Sequence, residues 1–106
     1  MNTSSLPDEI IGEWTQSSSL YTLTFEFTKK HVYYHDYASN TGVGYDWDDD
    51  VSEVFDDESF KAGSYYYYFH VSGNMLYLIK DKTQKTLGNN WWDDENVVVG
   101  YRLTKK

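Results

Sequence analysis

Any chemistry in this chain has to be sought first among its carboxylates. Asp46, Asp48, Asp49, Asp50, Glu53, Asp56, Asp57 and Glu58 place eight acids within thirteen residues, with no base among them. The other nine acids are matched by nine lysines and arginines, so the net charge of −8 resides in this one segment. Three readings fit such a run. It can be a solvated loop that keeps the protein soluble. It can hold a cation, because Asp46, Asp48 and Asp50 alternate like the start of a calcium loop. It can also be a docking surface for a basic protein partner. The calcium-loop pattern fails in detail: Val51 stands where the glycine is needed, and Asp57 where the bidentate glutamate belongs. No metal and no cofactor are assigned, with an irregular calcium site kept as an alternative reading of the run. Direct nucleic-acid binding is disfavoured, since no basic patch offsets the phosphates.

Tryptophan followed by three acids occurs twice, as Trp47-Asp48-Asp49-Asp50 and as Trp92-Asp93-Asp94-Glu95, with Trp91 beside the second. Two such loops at one barrel mouth would set aromatic planes beside carboxylates, an arrangement that suits a sugar or a cationic small-molecule ligand. In the competing reading each tryptophan folds back as a lid. The candidate contact residues are Trp47, Asp48, Asp49, Asp50, Asp56, Asp57, Trp91 and Trp92.

Catalysis finds little support. His31 and His35 point the same way along a strand, but their spacing of about 13 Å is too long for one shared ion. Ser17 to Ser19 have no base motif nearby, and neither a nucleophile elbow nor a phosphate loop occurs. A dense acidic run offers no reason for one carboxyl to be singled out as a general acid. No enzyme is expected, and no catalytic residue is assigned.

The elements that must position these residues read as strands. In GSYYYYFHVSGNMLYLIK, a two-residue turn at Gly73-Asn74 sets Val71 opposite Leu76, Phe69 opposite Leu78, and Tyr67 opposite Lys80. The alternate face carries His70 opposite Tyr77 and Tyr68 opposite Ile79, a wall suited to water or a ligand. Leu20 to Thr28 alternates cleanly, with Tyr21, Leu23, Phe25 and Phe27 on one face, and His31 to Ala38 returns beside it. Met1 to Ser5 reads as a polar, frayed end, and Leu6 to Ile11 as one helical turn. Asp46 to Glu58 reads as an acidic loop with a short edge strand near Val51 to Phe55, and Asp81 to Glu95 as a long aromatic loop. Asn96 to Thr104 closes the chain as a strand with Val97, Val99, Tyr101 and Leu103 on one face. The expectation is an N-terminal tail over residues 1–9 and one all-β domain over 10–106. That domain is an antiparallel meander of six to eight strands closing into a small barrel.

Composition agrees. A chain of 106 residues supports one modest core, and 19% aromatic content means rings fill much of it. There is no cysteine, hence no disulfide framework or thiolate site. The longest wholly apolar run, Met75 to Ile79, is far too short to span a membrane. MNTSSLPDEI shows no signal-peptide pattern, which fits a cytoplasmic protein as it stands, or an exported one whose leader has been removed.

Gly12-Glu13-Trp14 at the start of the first strand resembles the G-x-W signature of lipocalin and wider calycin barrels. GSYYYYFHVSGNMLYLI and VVVGYRLTKK are similar to the closing parts of small bacterial lipocalin-like domains. The resemblance implies a barrel plugged at one end by Trp14, with a basic side chain of the last strand lying across it. Arg102, the only arginine, is the expected base. The chain is shorter than a full lipocalin and lacks its other signature loops. The expected function is a non-catalytic binding or interaction module that meets a small-molecule ligand or partner at its aromatic and acidic loops. The alternative is an acidic inhibitor protein that docks its Asp-rich face on the basic, nucleic-acid-binding groove of a partner.

Overall fold

Apolar side chains at every second position drive the first strands. In the computed structural model, which describes residues 5–106, β1 (Gly12–Ser17), β2 (Tyr21–Phe27) and β3 (His31–Ala38) follow one another through short turns. β2 buries Leu23, Phe25 and Phe27 and leaves Thr22 and Glu26 exposed, the alternation a half-buried strand requires. The meander continues through β4 (Val43–Asp56), β5 (Ser59–Ala62), β6 (Tyr65–Ser72), β7 (Met75–Asp81) and β8 (Tyr101–Lys105). β8 returns antiparallel to β1, closing an eight-stranded barrel in strict sequence order. The all-β small-barrel class is therefore as expected. The frayed end expected at Met1 to Ser5 falls, except for Ser5, outside the described residues.

The β6–β7 hairpin has the register expected for it, with Val71 opposite Leu76, Phe69 opposite Leu78 and Tyr67 opposite Lys80. φ is +59° at Gly73 and is not positive at Asn74, as a type II′ turn requires.

Rings fill the barrel. Phe60 stacks on Tyr67 with centroids 4.7 Å apart, Phe25 meets Tyr34 and Tyr101 edge-on at 5.0 Å each, and Leu76, Leu78 and Leu103 pack among them fully buried. One end is closed by Leu6 and by Ile10, which belongs to the 3-10 turn Asp8–Ile10, together with Trp14, all at most 3% exposed. The indole Nε1–H of Trp14 donates to the Ile10 carbonyl at 2.9 Å, so the plug spends its one polar group locally.

Three expectations need correction. The segment 46–58 is mainly not a loop. Val43–Asp56 is one fourteen-residue strand, and only its end reaches the turn before β5. Trp47, Asp49 and Val51 turn inward by alternation, while Asp46, Asp48 and Asp50 turn out. The outward acids tolerate one another because β3 sets His35 opposite Asp46, Tyr33 opposite Asp48 and His31 opposite Asp50. Register shifts beyond Val51 then bring Val54 inward as well.

The closing strand is also shorter than expected. Tyr101 and Leu103 face the barrel, but Val97 and Val99 do not share that face. They join Trp91, Trp92 and Leu87 in covering the outside of β6 and β7 at Tyr68 and Ile79, a second apolar cluster outside the barrel. The wall carrying Tyr68, His70, Tyr77 and Ile79 is thus covered by the chain itself.

Finally, Arg102 does not lie over Trp14. It is exposed, and its backbone N–H reaches the Gln16 side-chain oxygen at 2.9 Å. The base over the plug is Lys105, whose Nζ stands 4.7 Å from the ring of Trp14 and donates to the Ile11 carbonyl at 2.7 Å. Closure explains this, because β1–β8 pairing puts Lys105 directly opposite Trp14. Gly12 completes the arrangement: a Cβ there would stand 2.5 Å from the Lys105 Nζ.

Candidate functional site

The acidic segment presents two different surfaces. On the outer face of β3 and β4, Asp46, Asp48 and Asp50 stand in a row beside His31, Tyr33, His35 and Tyr37. Tyr33 and Tyr37 are 43% and 46% exposed, large for aromatic side chains on a sheet. The His31 imidazole bridges two acids, with Nδ1 at 2.6 Å from Asp50 and Nε2 at 3.2 Å from Asp48. His35 pairs with Asp46 through Nδ1, and His70 with Glu58 at 2.8 Å. Every histidine of the chain is thus held by a carboxylate of residues 46–58. Burial alone would lower the pKa of His31, but its hydrogen bonds to Asp50 and Asp48 outweigh that and raise it. Among the described residues, no group of three or more potential ligands could hold a metal ion.

The inward residues of the same strand line the other end of the barrel, opposite the plug. Trp47 stacks on Tyr34 with centroids 5.1 Å apart and planes within 14°. On its other side lies Lys80 of β7, whose Nζ is 3.8 Å from the Trp47 ring, 4.1 Å from that of Tyr65 and 6.0 Å from that of Tyr67. Asp49 reaches into the same layer, packed so tightly over Gly63 that a Cβ there would fall 2.7 Å from its carboxylate. Burial lowers the pKa of Lys80, with the Asp49 charge opposing. Tyr67 is fully buried, and its hydroxyl has no hydrogen-bond partner. Nearby, Tyr34 donates to Asp36 at 2.8 Å, and Tyr101 closes the rim. Burial, reinforced by Asp36, raises the pKa of both phenols, so they stay neutral donors.

The remaining candidates are scattered. Asp56 serves the turn between β4 and β5, where its Oδ1 accepts from the Glu58 N–H at 2.8 Å and the Ser59 hydroxyl at 2.9 Å. Asp57 is exposed in that turn. Trp91 is 5% exposed beneath the 82–100 segment, and Trp92 lies flat on His70 at 3.4 Å. Trp47 inside the barrel and Trp92 outside it do not meet at one mouth, so the paired-loop arrangement does not form. Trp91 and Trp92 act as lids, though on the outer wall. Lys80, Tyr65 and Tyr67 are not among the candidates that composition points to, and the signal for two of them is the hairpin register, which sets Tyr67 opposite Lys80.

With that geometry in place, comparison adds no relative: no family model, curated protein or solved structure matches the chain. What stands is the class, an all-β protein folded as a closed antiparallel barrel of eight strands. No helix among the described residues is long and apolar enough to cross a membrane.

Proposed function

We propose that this chain is a non-catalytic interaction module whose partner is a basic protein, met on the outer face of β3 and β4. One observation carries the reading: Asp46, Asp48 and Asp50 project in a row from a paired strand, flanked by the exposed rings of Tyr33 and Tyr37. Acids on a paired strand hold a fixed pattern, whereas the same acids on a loop would merely solvate. Tyrosine supplies rigid contact area beside them at low entropic cost. The filled barrel interior argues against a deep ligand cup as the main site.

A second reading names the partner more narrowly as a protein with a nucleic-acid-binding groove. The carboxylates repeat every second residue, about 7 Å apart along an extended strand, a regular line of negative charge that such a groove is built to hold. The barrel itself we read as lipocalin-like. Gly12-Glu13-Trp14 follows a 3-10 turn, Trp14 closes one end, and a last-strand base lies over it, here Lys105.

The test is a pull-down from host extract at low and high salt, with the parent and an Asp46→Asn, Asp48→Asn, Asp50→Asn variant. The expected result is a basic protein retained by the parent at low salt, released as screening rises, and missing from the variant. Identical proteins on parent and variant would overturn the reading.

A further inference from the structure

The barrel mouth holds an arrangement that docking on the outer face does not use. Trp47 and Tyr65 place ring faces about the Lys80 ammonium, at 3.8 Å and 4.1 Å. A positive charge between aromatic faces is attracted by their quadrupoles, and more strongly when water is excluded. Two inward carboxylates, Asp36 and Asp49, belong to the same end of the barrel, while Lys85, which lines the adjoining cleft, is paired with Asp81 at 3.1 Å. The box is thus built for a cation, and the chain's own lysine stands in for one.

Lys80 fits that box incompletely. Among the described residues its ammonium has ring contacts but no hydrogen bond or ion pair, so its N–H donors lack a protein acceptor. Burial disfavours its charge despite Asp49. Tyr67, directly opposite Lys80 across β6 and β7 with its ring 6.0 Å from the ammonium, has a buried hydroxyl without a partner. A buried hydroxyl left unpaired carries a desolvation cost that a ligand group can relieve. The lysine also has somewhere to go. A cleft of about 670 Å³, lined by Tyr65, Lys80, Asp81, Val97 and Tyr101 among others, opens beside it.

We propose that the barrel mouth binds a small primary ammonium ion bearing an apolar group, which enters by displacing Lys80 from between Trp47 and Tyr65. The ammonium takes the place between the rings and donates to the Asp49 carboxylate and the Tyr67 hydroxyl. Its apolar part lies along the cleft toward Val97 and Tyr101, and Lys80 swings out to water. Lys80 is then a tethered competitor that sets the affinity. The site is separate from the β3–β4 outer face, and neither depends on the other.

Phenethylammonium and its neutral analogue 2-phenylethanol test this by titration, read at the Trp47 indole N–H by NMR and by calorimetry. The expected result is a shift of that resonance with phenethylammonium, and binding of the alcohol at least tenfold weaker. Lys80→Ala should tighten phenethylammonium binding at least tenfold, and adding Trp47→Leu or Asp49→Asn should reverse the gain. Equal binding of amine and alcohol would overturn the proposal, because it describes an apolar cleft only. No shift in the parent, or no gain in a folded Lys80→Ala variant, would overturn it as well. If Lys80→Ala does not fold, the comparison of amine and alcohol on the parent decides.

Discussion

Lys105 lies over Trp14, its ammonium 4.7 Å from the indole ring, and its side chain ties the last strand to the Ile11 carbonyl that precedes the first. The β1–β8 seam pairs Trp14 with Lys105 and Thr15 with Thr104, and beyond them the Lys106 N–H donates to the Glu13 carbonyl at 3.0 Å. Trp14→Ala should therefore cost about 3–5 kcal/mol, as large core truncations do. Lys105→Met should cost about 0.5–1 kcal/mol, the range of an exposed cation–π contact. Arg102→Met should cost almost nothing. Urea melts of the three variants check the order, and a larger loss from Arg102 than from Lys105 would contradict it.

Parts of this were legible in the sequence because they are local. The register of β6 and β7 follows from one glycine turn and alternation, and the inward set Leu23, Phe25 and Phe27 from alternation alone. The base over Trp14 was not legible, because it depends on how the two chain ends meet. β4 was hidden by its composition: Asp is a poor strand former, and only the histidines of β3 opposite make the row tolerable. The outer cluster was half legible. Tyr68 and Ile79 left an apolar wall uncovered, but which segment covers it is a tertiary matter.

That wall gives a second prediction. Trp91 is buried against Tyr68, Ile79 and Val99, so Trp91→Ala should free the 82–100 segment while the barrel persists. Tryptic cleavage after Lys82 and Lys85 should accelerate strongly, with the hydrogen-exchange protection of β2 and β3 little changed. Trp92→Ala should do less, because Trp92 is only half-buried on His70. Simultaneous loss of protection in β2 would show the two clusters to be one cooperative unit.

The His31 bridge sets a pH dependence. The folded-state pKa of His31 lies above its unfolded value. The stabilisation is therefore complete below about pH 6.5 and is lost as pH rises through the folded value. Melting midpoints from pH 5.5 to 8.5 should fall with pH more steeply in the parent than in His31→Asn. The difference between the two curves is the informative quantity, since general repulsion among the acids acts on both. Parallel curves would mean that His31 contributes nothing to the slope.

The acids of β4 should behave differently by position. Asp56 accepts two hydrogen bonds, one from the buried Ser59, and Asp56→Ala should cost about 1–2 kcal/mol. Asp46→Asn and Asp48→Asn, at exposed positions, should lie within about 0.5 kcal/mol of the parent. Chemical denaturation of each variant distinguishes them. Equal losses at all three positions would mean that charge alone, and not position, governs the strand.

The inward turn of Asp49 can be tested through the glycine beneath it. Gly63 and Gly73 each have φ of +59°, so an alanine at either carries the left-handed strain of about 1–2 kcal/mol. Their surroundings differ. A Cβ at Gly73 meets nothing within 4 Å, whereas one at Gly63 falls 2.7 Å from the Asp49 carboxylate. Gly73→Ala should show the backbone cost alone, and Gly63→Ala that cost plus displacement of Asp49. The excess should disappear in the Asp49→Ala background, because only the carboxylate is removed and the turn is unchanged. A double-mutant cycle read by urea denaturation gives the coupling directly. Coupling indistinguishable from zero would mean that Asp49 is not packed over Gly63, and the inward face of β4 would then need to be drawn differently.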